Sequence, residues 1–575
     1  MIRTYISLLL VMAGGLALIS FLPGPTDNTR TNRPQLCLTQ ADRQQVLKRM
    51  DTTRQVAPLL KGLGNYAMRV TTTSEQARLF FNQGFTLYYG FNHLEAFRSF
   101  KEAARLDPNF AMAYWGQAMS LGPNINAAMD LADGQVVYQA VLKAVQLAPG
   151  VSEREQALIR AVSQRYSAEA PVNRSALDLA YADAMASAAQ QFPSDVDVIT
   201  LYAEALMDLH PWDYFLKDGT PQPWTAQILA TIERAIALDN DHPGANHLYI
   251  HAYEASTQPG KAMKSADLLR TLVPAAGHLV HMPSHIYIRT GRYNDGVIAN
   301  KKAVKTDEEY LAQCKAEGFY PLVLYPHNIH FLWACATLDG QSREAIQAAD
   351  LLAAKQKFDL MLDPTWKSLQ HFYATPYYAR VRFGKWDEIL RLEQPDERLV
   401  YANGIWRYAR AIAFTRKGKT EQANGELAAL QKLAADESIV NEKILGINGM
   451  AHVLNIAILV TKGELAAAAK DHAKAIEHLK EAVKLEDALL YQEPYDWHHP
   501  VRQVLGDVLL EAGDAVQAEK YFREDLYLFA NNGWSLTGLA RALELQGKAD
   551  EAKATRAALK ESFARADVKL TRVRF

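Results

Sequence analysis

The sequence predicts an all-α protein built as an α-solenoid, an array of helix pairs stacked along the chain. Alanine and leucine dominate the 575 residues, 49% of which are hydrophobic, and apolar positions recur at the spacing of a helix. Long alternating patterns typical of strands are scarce. Histidines also recur at a fixed offset, because His247 and His281, like His251 and His285, are 34 residues apart. That offset is the length of a helix-turn-helix repeat.

The amino-terminal residues 1–25 predict an export signal. Arg3 precedes an almost unbroken apolar run from Ile6 to Leu22, which is followed by Pro23. With roughly 18 apolar residues the run is also long enough to span a bilayer. The segment is therefore either a signal peptide that is removed or an anchor that is retained. We expect an exported protein, either periplasmic or held at the membrane by this segment alone.

Charge and cysteine content exclude several classes of protein. The chain has 62 Lys and Arg against 64 Asp and Glu, a net charge of -2, and no basic tract. Nucleic acid is therefore not an expected partner. Only Cys37, Cys314 and Cys335 occur, so no disulfide framework supports the fold, and the last two are expected to be buried.

The first recognisable repeat follows a polar segment, residues 26–73, which is a linker with a short predicted helix from Thr39 to Met50. Beyond Ser74, five residues stand at the relative spacings of a known repeat signature: Gly84, Ala96, Phe100, Ala103 and Pro108. In that signature small residues let two helices pack closely. The sequence resembles the tetratricopeptide repeat family, and the resemblance covers most of residues 74–560.

The resemblance divides the chain into three parts after the linker. Residues 74–240 form amino-terminal repeats that become degenerate after about 130, where only helical periodicity persists. Residues 241–345 form central, histidine-rich repeats, with units at 243–276 and 277–310. His278 and His327 are 49 residues apart, one 34-residue period plus an insertion of 15. Residues 346–575 form the carboxy-terminal repeats.

The resemblance to tetratricopeptide repeats implies which side chains line the concave groove of the array. In tetratricopeptide repeats the second, fifth, ninth and twelfth residues of a unit face the groove, because a helix of 3.6 residues per turn places them on one side. Counting units from 243, 277, 326 and 370 assigns these positions to His247, His251, Glu254, His278, His281, His285, His327, His330 and His371. The histidines are therefore expected to converge.

Converging imidazoles predict a transition-metal site. Neutral imidazole binds zinc, copper and iron, and two histidines three or four apart on a helix can share an ion. Packed helices lie roughly 8 to 10 Å apart, so neighbouring helices can build one mononuclear or dinuclear site. The predicted ligands are His247, His251, Glu254, His278, His281, His285, His327 and His330. Residues predicted to border them are Glu204, Asp208, His210, Tyr253, Tyr287 and His371.

Two neighbours of the histidines restrict this prediction. His281 and His285 have the spacing of the zinc-protease helix motif, but Met282 stands where that motif needs glutamate, so a protease is not predicted. Pro283 predicts a helix start that would leave His278 and His281 outside its regular turns.

Several functions stay open on the sequence. The leading hypothesis is an exported metal-binding protein whose ion is copper, iron or zinc. It would be a metalloenzyme if a coordination position is open, and a carrier or sensor if the ion is saturated. The alternative is a non-catalytic scaffold whose groove binds a peptide, a protein or a small molecule.

Three more histidines lie outside the pattern. His93 is expected to be a structural residue in the turn between two helices. His498 and His499 precede a repeat helix, and they would reach the groove only if the superhelix curls back on itself.

Overall fold

A computed structural model describes residues 54–314 and 318–575. The predicted signal or anchor at 1–25, the helix predicted from Thr39 to Met50, and Cys37 lie outside the described residues. Within the described ranges the chain is all-α. Its strands there are one short antiparallel pair, β1 (Lys443–Ile444) and β2 (Asn448–Gly449). The predicted fold class is confirmed, since consecutive helices are joined by short turns and pack on one another from end to end.

The amino-terminal helices form the first part of the solenoid. They are α1 (Glu75–Tyr89), α2 (His93–Leu106), α3 (Ala111–Ser120), α4 (Gly134–Leu147), α5 (Glu153–Gln164), α6 (Ser175–Gln191), α7 (Val196–Leu209) and α8 (Thr225–Leu238). Local signals set where they begin. Ser74 accepts a hydrogen bond from the Ala77 amide before α1, and Ser152 and Glu155 form a reciprocal capping box before α5.

The central helices carry most of the clustered histidines. They are α9 (Pro243–Glu254), α10 (Met263–Leu272), α11 (Gly277–His281), α12 (Pro283–Thr290), α13 (Tyr293–Cys314) and α14 (Tyr325–Leu338), with a π-helical turn at Tyr320–Leu324. The predicted insertion lengthens α13 to 22 residues and adds the π-helical turn. It does not move α14 away, because α14 packs on both α11 and α13.

The carboxy-terminal helices complete the array. They are α15 (Ser342–Ala354), α16 (Phe358–Leu362), α17 (Leu369–Tyr373), α18 (Thr375–Arg382), α19 (Trp386–Arg391), α20 (Val400–Arg416), α21 (Thr420–Ala434), α22 (Glu437–Val440), α23 (Met450–Ala468), α24 (His472–Ala488), α25 (Val501–Glu511), α26 (Ala515–Leu528), α27 (Gly533–Leu545) and α28 (Ala549–Ser562). In the described residues α23 is long and apolar enough to cross a membrane, but 67% of that window is buried inside the protein, so this is weak evidence for a span.

Close glycine–phenylalanine packing holds the first repeat together. A Cβ on Gly84 would lie 2.9 Å from the Phe100 ring, and one on Gly116 would lie 2.5 Å from it. Gly506 and Gly538 approach the ring of Phe522 in the same way, at 2.6 and 2.1 Å. In both repeats the phenylalanine ring therefore occupies the space that a side chain on the glycine would need.

The apolar core runs the length of the array in several stretches. One cluster of buried side chains extends from Ala57 to Ala245, and another from Ile288 to Val573. Two smaller clusters lie between them, around α9, α11 and α12. The histidine-bearing helices therefore occupy the region where the amino-terminal and carboxy-terminal cores meet.

Candidate metal centre

Four helical segments deliver the clustered histidines, the fourth being α14, which carries His327. His247 and His251 lie on α9, His278 and His281 on α11, and His285 on α12. Pro283 does begin a new helix, as its position predicted. The intervening Met282 nevertheless keeps helical dihedral angles, φ −47° and ψ −38°, so α12 continues directly from α11 and its histidine stays beside the others.

Six imidazoles form two groups of three, which we call the central histidine cluster. The first group is His247, His251 and His278, and the second is His281, His285 and His327; within each, the potential ligand atoms lie within 4.8 Å of one another. In the first group, the Nε2 atoms of His247 and His278 are 3.2 Å apart. In the second, the Nε2 atoms of His281 and His285 are 2.9 Å apart.

The cluster is buried, which corrects the expectation that it lines an open groove. His251 is 2% exposed, His281 0% and His285 3%, and His327 alone among the six is partly exposed. Aromatic rings close around the imidazoles. Phe91, in the turn between α1 and α2, stacks on His251 with ring centroids 5.7 Å apart and an interplanar angle of 10°.

Four of the six imidazoles are oriented by oxygen atoms that accept from Nδ1. These bonds are His247 to the Tyr89 carbonyl (2.6 Å), His251 to Glu254 Oε1 (2.6 Å), His281 to Asn300 Oδ1 (2.7 Å) and His285 to Glu254 Oε2 (2.5 Å). A carbonyl or an ionised carboxylate can only accept, so each Nδ1 carries the proton and each neutral ring presents the Nε2 lone pair to the cluster. The orientation of the Asn300 side-chain amide is fixed in turn, because its Nδ2 donates to the Gly296 carbonyl at 2.8 Å.

Glu254, the last residue of α9, joins the two groups by accepting from a histidine of each. Residues far along the chain cover it. Tyr491 Oη donates to Glu254 Oε2 at 3.3 Å, and Glu493 Oε2 lies 3.5 Å from His285 Nδ1. Sequence reasoning missed Tyr491 and Glu493. The only sequence signal near them was the pair His498 and His499, which were expected to reach the groove only if the superhelix curled back on itself. The segment 491–493 does curl back onto α9.

Burial and neighbouring charges shift the pKa values of the clustered histidines in different directions. Burial lowers the pKa of His247, His278, His281 and His327 well below the usual value, and repulsion between neighbouring imidazoles adds to the shift. Burial also lowers the pKa of His285, but the carboxylates of Glu254 and Glu493 outweigh it and raise that pKa to about 9. Although burial opposes ionisation of Glu254, His285 and His251 hold its pKa well below the usual range.

Each close pair of Nε2 atoms requires a proton or a cation between the two nitrogens. When His281 and His285 are both neutral with Nδ1 protonated, their Nε2 lone pairs face each other at 2.9 Å. Either a proton on one Nε2 or a shared cation removes that repulsion. Two nitrogens bound at 2.0–2.1 Å to one tetrahedral zinc ion lie roughly 3.3 Å apart, so the spacings of 2.9 and 3.2 Å are close to those of a bound ion.

His330 does not join the central cluster, although it was predicted as a ligand. Its ring stacks on Trp333, with centroids 5.0 Å apart and an interplanar angle of 4°, and lies 5.6 Å from the ring of His371. His371 in turn has its Nδ1 2.9 Å from the Tyr401 hydroxyl. We call this region the second histidine cluster; its members are His330, His371, His498, Tyr378, Tyr401 and Asp496.

Glu204, Asp208 and His210 do not border the central cluster as predicted. Asp208 forms a buried ion pair with Arg165, at 2.7 Å. Burial raises the pKa of the nearby Glu204 carboxyl to about 7. His210 instead stacks flat on Trp224, with ring centroids 3.7 Å apart.

The two predicted bordering tyrosines also face elsewhere. The Tyr253 ring packs edge-on against Tyr249, with centroids 4.9 Å apart. The Tyr287 hydroxyl donates to Asp267 at 2.6 Å. Both rings belong to the apolar cluster around α10, so each serves the packing of that repeat.

His93 shows how a buried imidazole can lack this geometry. It begins α2 and lies edge-on to the Tyr88 ring, at 5.3 Å between centroids. Burial, followed by repulsion from Arg165, lowers its pKa to about 4. Both of its ring nitrogens lack a hydrogen-bond partner in the described protein, so the structural role expected from the sequence stays a prediction.

Comparison with known proteins does not place the chain in a family. No family model matches it, and no curated protein matches it. Similar solved structures include the human IFIT1 dimer with PPP-AAAA, at 13% identity over 85% of this chain and 91% of that one, with a TM-score of 0.27. Another is the human IFIT1 dimer with m7Gppp-AAAA, at 13% identity over 90% and 93%, with a TM-score of 0.28. Similarity at these TM-scores supports no conclusion about fold or function.

Proposed function

We propose that this chain is a metalloprotein whose central histidine cluster binds two transition-metal ions of the copper, iron or zinc type. One ion is bound by His247, His251 and His278, and the other by His281, His285 and His327. Glu254 orients one imidazole of each group by hydrogen bonding. Imidazole suits all three metals, so the element is for experiment to identify.

The observation that carries the proposal is the fixed orientation of the imidazoles. In metal sites a ligating histidine almost always donates its other ring N–H to a carboxylate, a carbonyl or another protein oxygen. His247, His251, His281 and His285 all do so. The Nε2 atom of His251 has no hydrogen-bond partner within the protein although the side chain is buried, as expected for a nitrogen reserved for another ligand.

Three imidazoles per ion favour an enzyme over a carrier. Three protein ligands leave a coordination position for water or a substrate, whereas a structural or storage site is closed by four. An ion with an open position supplies Lewis acidity and lowers the pKa of bound water. His327, of the second group, is the one residue of the six that is partly exposed.

The scaffold alternative receives less support from the site. The imidazoles predicted to face a peptide or protein partner are 0 to 3% exposed, apart from His327, and so have little surface to offer one. Export remains part of the proposal and rests on the apolar run from Ile6 to Leu22.

Elemental analysis tests the proposal directly. The full-length chain is purified without a histidine tag, reconstituted with zinc, copper or iron, and compared with a His251→Ala and His285→Ala double variant. We expect close to two ions per wild-type chain and none in the variant, with a lower Tm for wild type after chelation. A His472→Ala and His478→Ala double variant, which removes two imidazoles of α24, is the matched control and should retain its metal. Wild-type protein that binds no metal under any of these conditions would overturn the proposal.

A further inference from the structure

A separate cavity lies on the carboxy-terminal side of the central cluster. It has a volume of about 40 Å³ and lies between α14, α18 and the segment 494–500. Its apolar walls include Ile288, Leu338 and Phe529. We call it the donor cavity, because the polar side chains that line it and lack a partner are hydrogen-bond donors.

Five buried side chains that line this cavity have polar atoms without a hydrogen-bond partner. The atoms without a partner in the protein are Trp333 Nε1, Thr337 Oγ1, Arg382 Nε and Nη1, Trp497 Nε1 and His498 Nδ1. All five residues are 2 to 8% exposed. His498 Nε2 lies 3.4 Å from the Tyr408 hydroxyl, which can donate to it and so leave the proton on Nδ1. Within the described residues no carboxylate lines the cavity.

Arg382 is the only cation lining the donor cavity in the described part of the chain, and its charge is not neutralised there. Its Nη2 donates to the neutral Gln503 amide oxygen at 2.7 Å, and its guanidinium lies 3.6 Å from the centroid of the Trp534 ring. No carboxylate of the described residues lies within 4.0 Å of it. Burial lowers the pKa of Arg382 to about 9, which reflects the cost of holding the charge there.

A second buried arginine shows the usual arrangement. Arg574 is 5% exposed and pairs with three carboxylates: Glu464, Asp507 and Glu511. Burying a cation is costly unless it is paired, and Arg574 meets that requirement within the chain. Arg382 has no such direct partner: Asp525 is linked to it through the Gln503 amide, and its Nε and Nη1 atoms are left without an acceptor in the described protein.

We propose that the donor cavity binds a small monocarboxylate of about the size of acetate, with its carboxylate on Arg382 and its apolar end against Ile288 and Phe529. A single buried guanidinium balances one negative charge, and its planar fork matches a carboxylate. A volume of about 40 Å³ holds roughly three water-sized groups. The apolar walls favour this ligand over a multiply charged, strongly hydrated anion such as phosphate. The proposal does not depend on metal binding.

Calorimetric titration with sodium acetate tests this site. The full-length protein is titrated at constant ionic strength after its metal has been chelated and the chelator removed, with sodium chloride and phosphate as comparison anions. We expect acetate to bind one per chain with a Kd on the order of millimolar, as suits a ligand of four heavy atoms. Arg382→Met should abolish binding. Trp497→Phe, which replaces the indole with a smaller aromatic ring that has no N–H donor, should raise the Kd roughly tenfold.

The controls separate the cavity from general anion effects. Arg380 lies on the same helix but pairs with Asp350 at 2.7 Å, so Arg380→Met should bind acetate like wild type. If Arg382→Met does not fold, Trp497→Phe decides, because it keeps an aromatic ring at this position and leaves Arg382 unchanged. The proposal is overturned if wild type shows no acetate binding, if phosphate binds as tightly as acetate, or if Trp497→Phe keeps the wild-type Kd.

Discussion

The central and second histidine clusters are built from the same residue type at similar burial, yet they differ in what fixes each ring. In the central cluster, oxygen atoms fix Nδ1 of four imidazoles and bring Nε2 atoms to 2.9 and 3.2 Å of each other. In the second cluster His330 and His371 lie 5.6 Å apart between ring centroids, in edge-on contact, with aromatic rings packed around them. The direction of the nitrogen lone pairs, and not the number of histidines, therefore distinguishes a candidate metal site.

Acidic residues reinforce the difference between the clusters. Glu254 stays ionised in the central cluster, because two imidazoles donate to it and lower its pKa. In the second cluster, burial raises the pKa of Asp496 to about 7, and its Oδ1 is 3.8 Å from His371 Nε2. Burial also lowers the pKa of His371 to about 3. The carboxyl group of the central cluster is therefore ionised, whereas burial shifts both Asp496 and His371 toward their neutral forms.

The largest expected effect comes from mutating each histidine cluster in turn and comparing the metal content of the two variants. His251→Ala with His285→Ala should abolish metal binding, whereas His330→Ala with His371→Ala should leave two ions per chain. Each variant removes two buried imidazoles, so the loss of packing is matched. Metal content by mass spectrometry of native protein measures the outcome. Equal loss of metal in both variants would remove the distinction drawn between the clusters.

Glu254→Gln should have the next largest effect on metal binding. A glutamine side chain has one accepting oxygen, so only one of His251 and His285 would retain its acceptor. Loss of such an orienting partner typically costs 10- to 100-fold in metal affinity, which a competition titration with a chromophoric chelator measures. Glu493→Gln serves as the control, since its contact with His285 is longer, at 3.5 Å. An affinity for Glu254→Gln within twofold of wild type would contradict the role given to this carboxylate.

Asp496→Asn should change how stability depends on pH. The pKa of Asp496 is about 7 in the folded chain, above the value of about 3.9 in an unfolded one. Between these values the folded state holds a proton that the unfolded state releases, so this group makes stability fall as pH rises. The variant should match wild type near pH 4 and be more stable by roughly 2 to 4 kcal/mol at pH 8. Denaturant titration of wild type and variant at both pH values tests this. A difference in stability between the two proteins that is the same at pH 4 and pH 8 would refute it.

The smallest effect is expected at Asn300, which orients a single imidazole. Asn300→Leu removes the closer of two oxygens beside His281 Nδ1, the other being Ser284 Oγ at 3.3 Å, and should weaken metal binding roughly tenfold. Asn424→Leu on α21 controls for the loss of the local hydrogen bond alone, because both asparagines donate to the carbonyl four residues earlier, at 2.8 and 2.9 Å, although Asn424 is exposed and Asn300 is buried. Similar metal affinity in the two variants would show that the orientation of His281 does not matter.

Much of the fold was predictable, because it depends on local repetition. The 34-residue offset placed His247 and His251 on one helix, and His281 and His285 on the next helical segments, where they meet. The glycine and phenylalanine spacing around Gly84 and Phe100 predicted close helix packing, which the structure shows. These are contacts within or between adjacent repeats, so helical periodicity is enough to predict them.

The remainder of the candidate site depends on information that periodicity does not contain. His327 and His330 share α14 and were both assigned to the groove. Side chains three positions apart on a helix differ in direction by about 60°. Only His327 therefore contacts the central cluster. Tyr491 reaches Glu254 across 237 residues, a contact that depends on how the whole superhelix closes. Closure of the superhelix also explains why an open groove was wrongly predicted, because closure buries side chains that a single repeat would leave exposed.

The return of residues 491–493 to the end of α9 links the candidate centre to a late part of the chain. All six imidazoles precede this segment, whereas the contacts of Tyr491 with Glu254 and of Glu493 with His285 require the carboxy-terminal helices to be in place. If the central cluster binds metal as proposed, we expect an ion to be released more slowly once these contacts have formed.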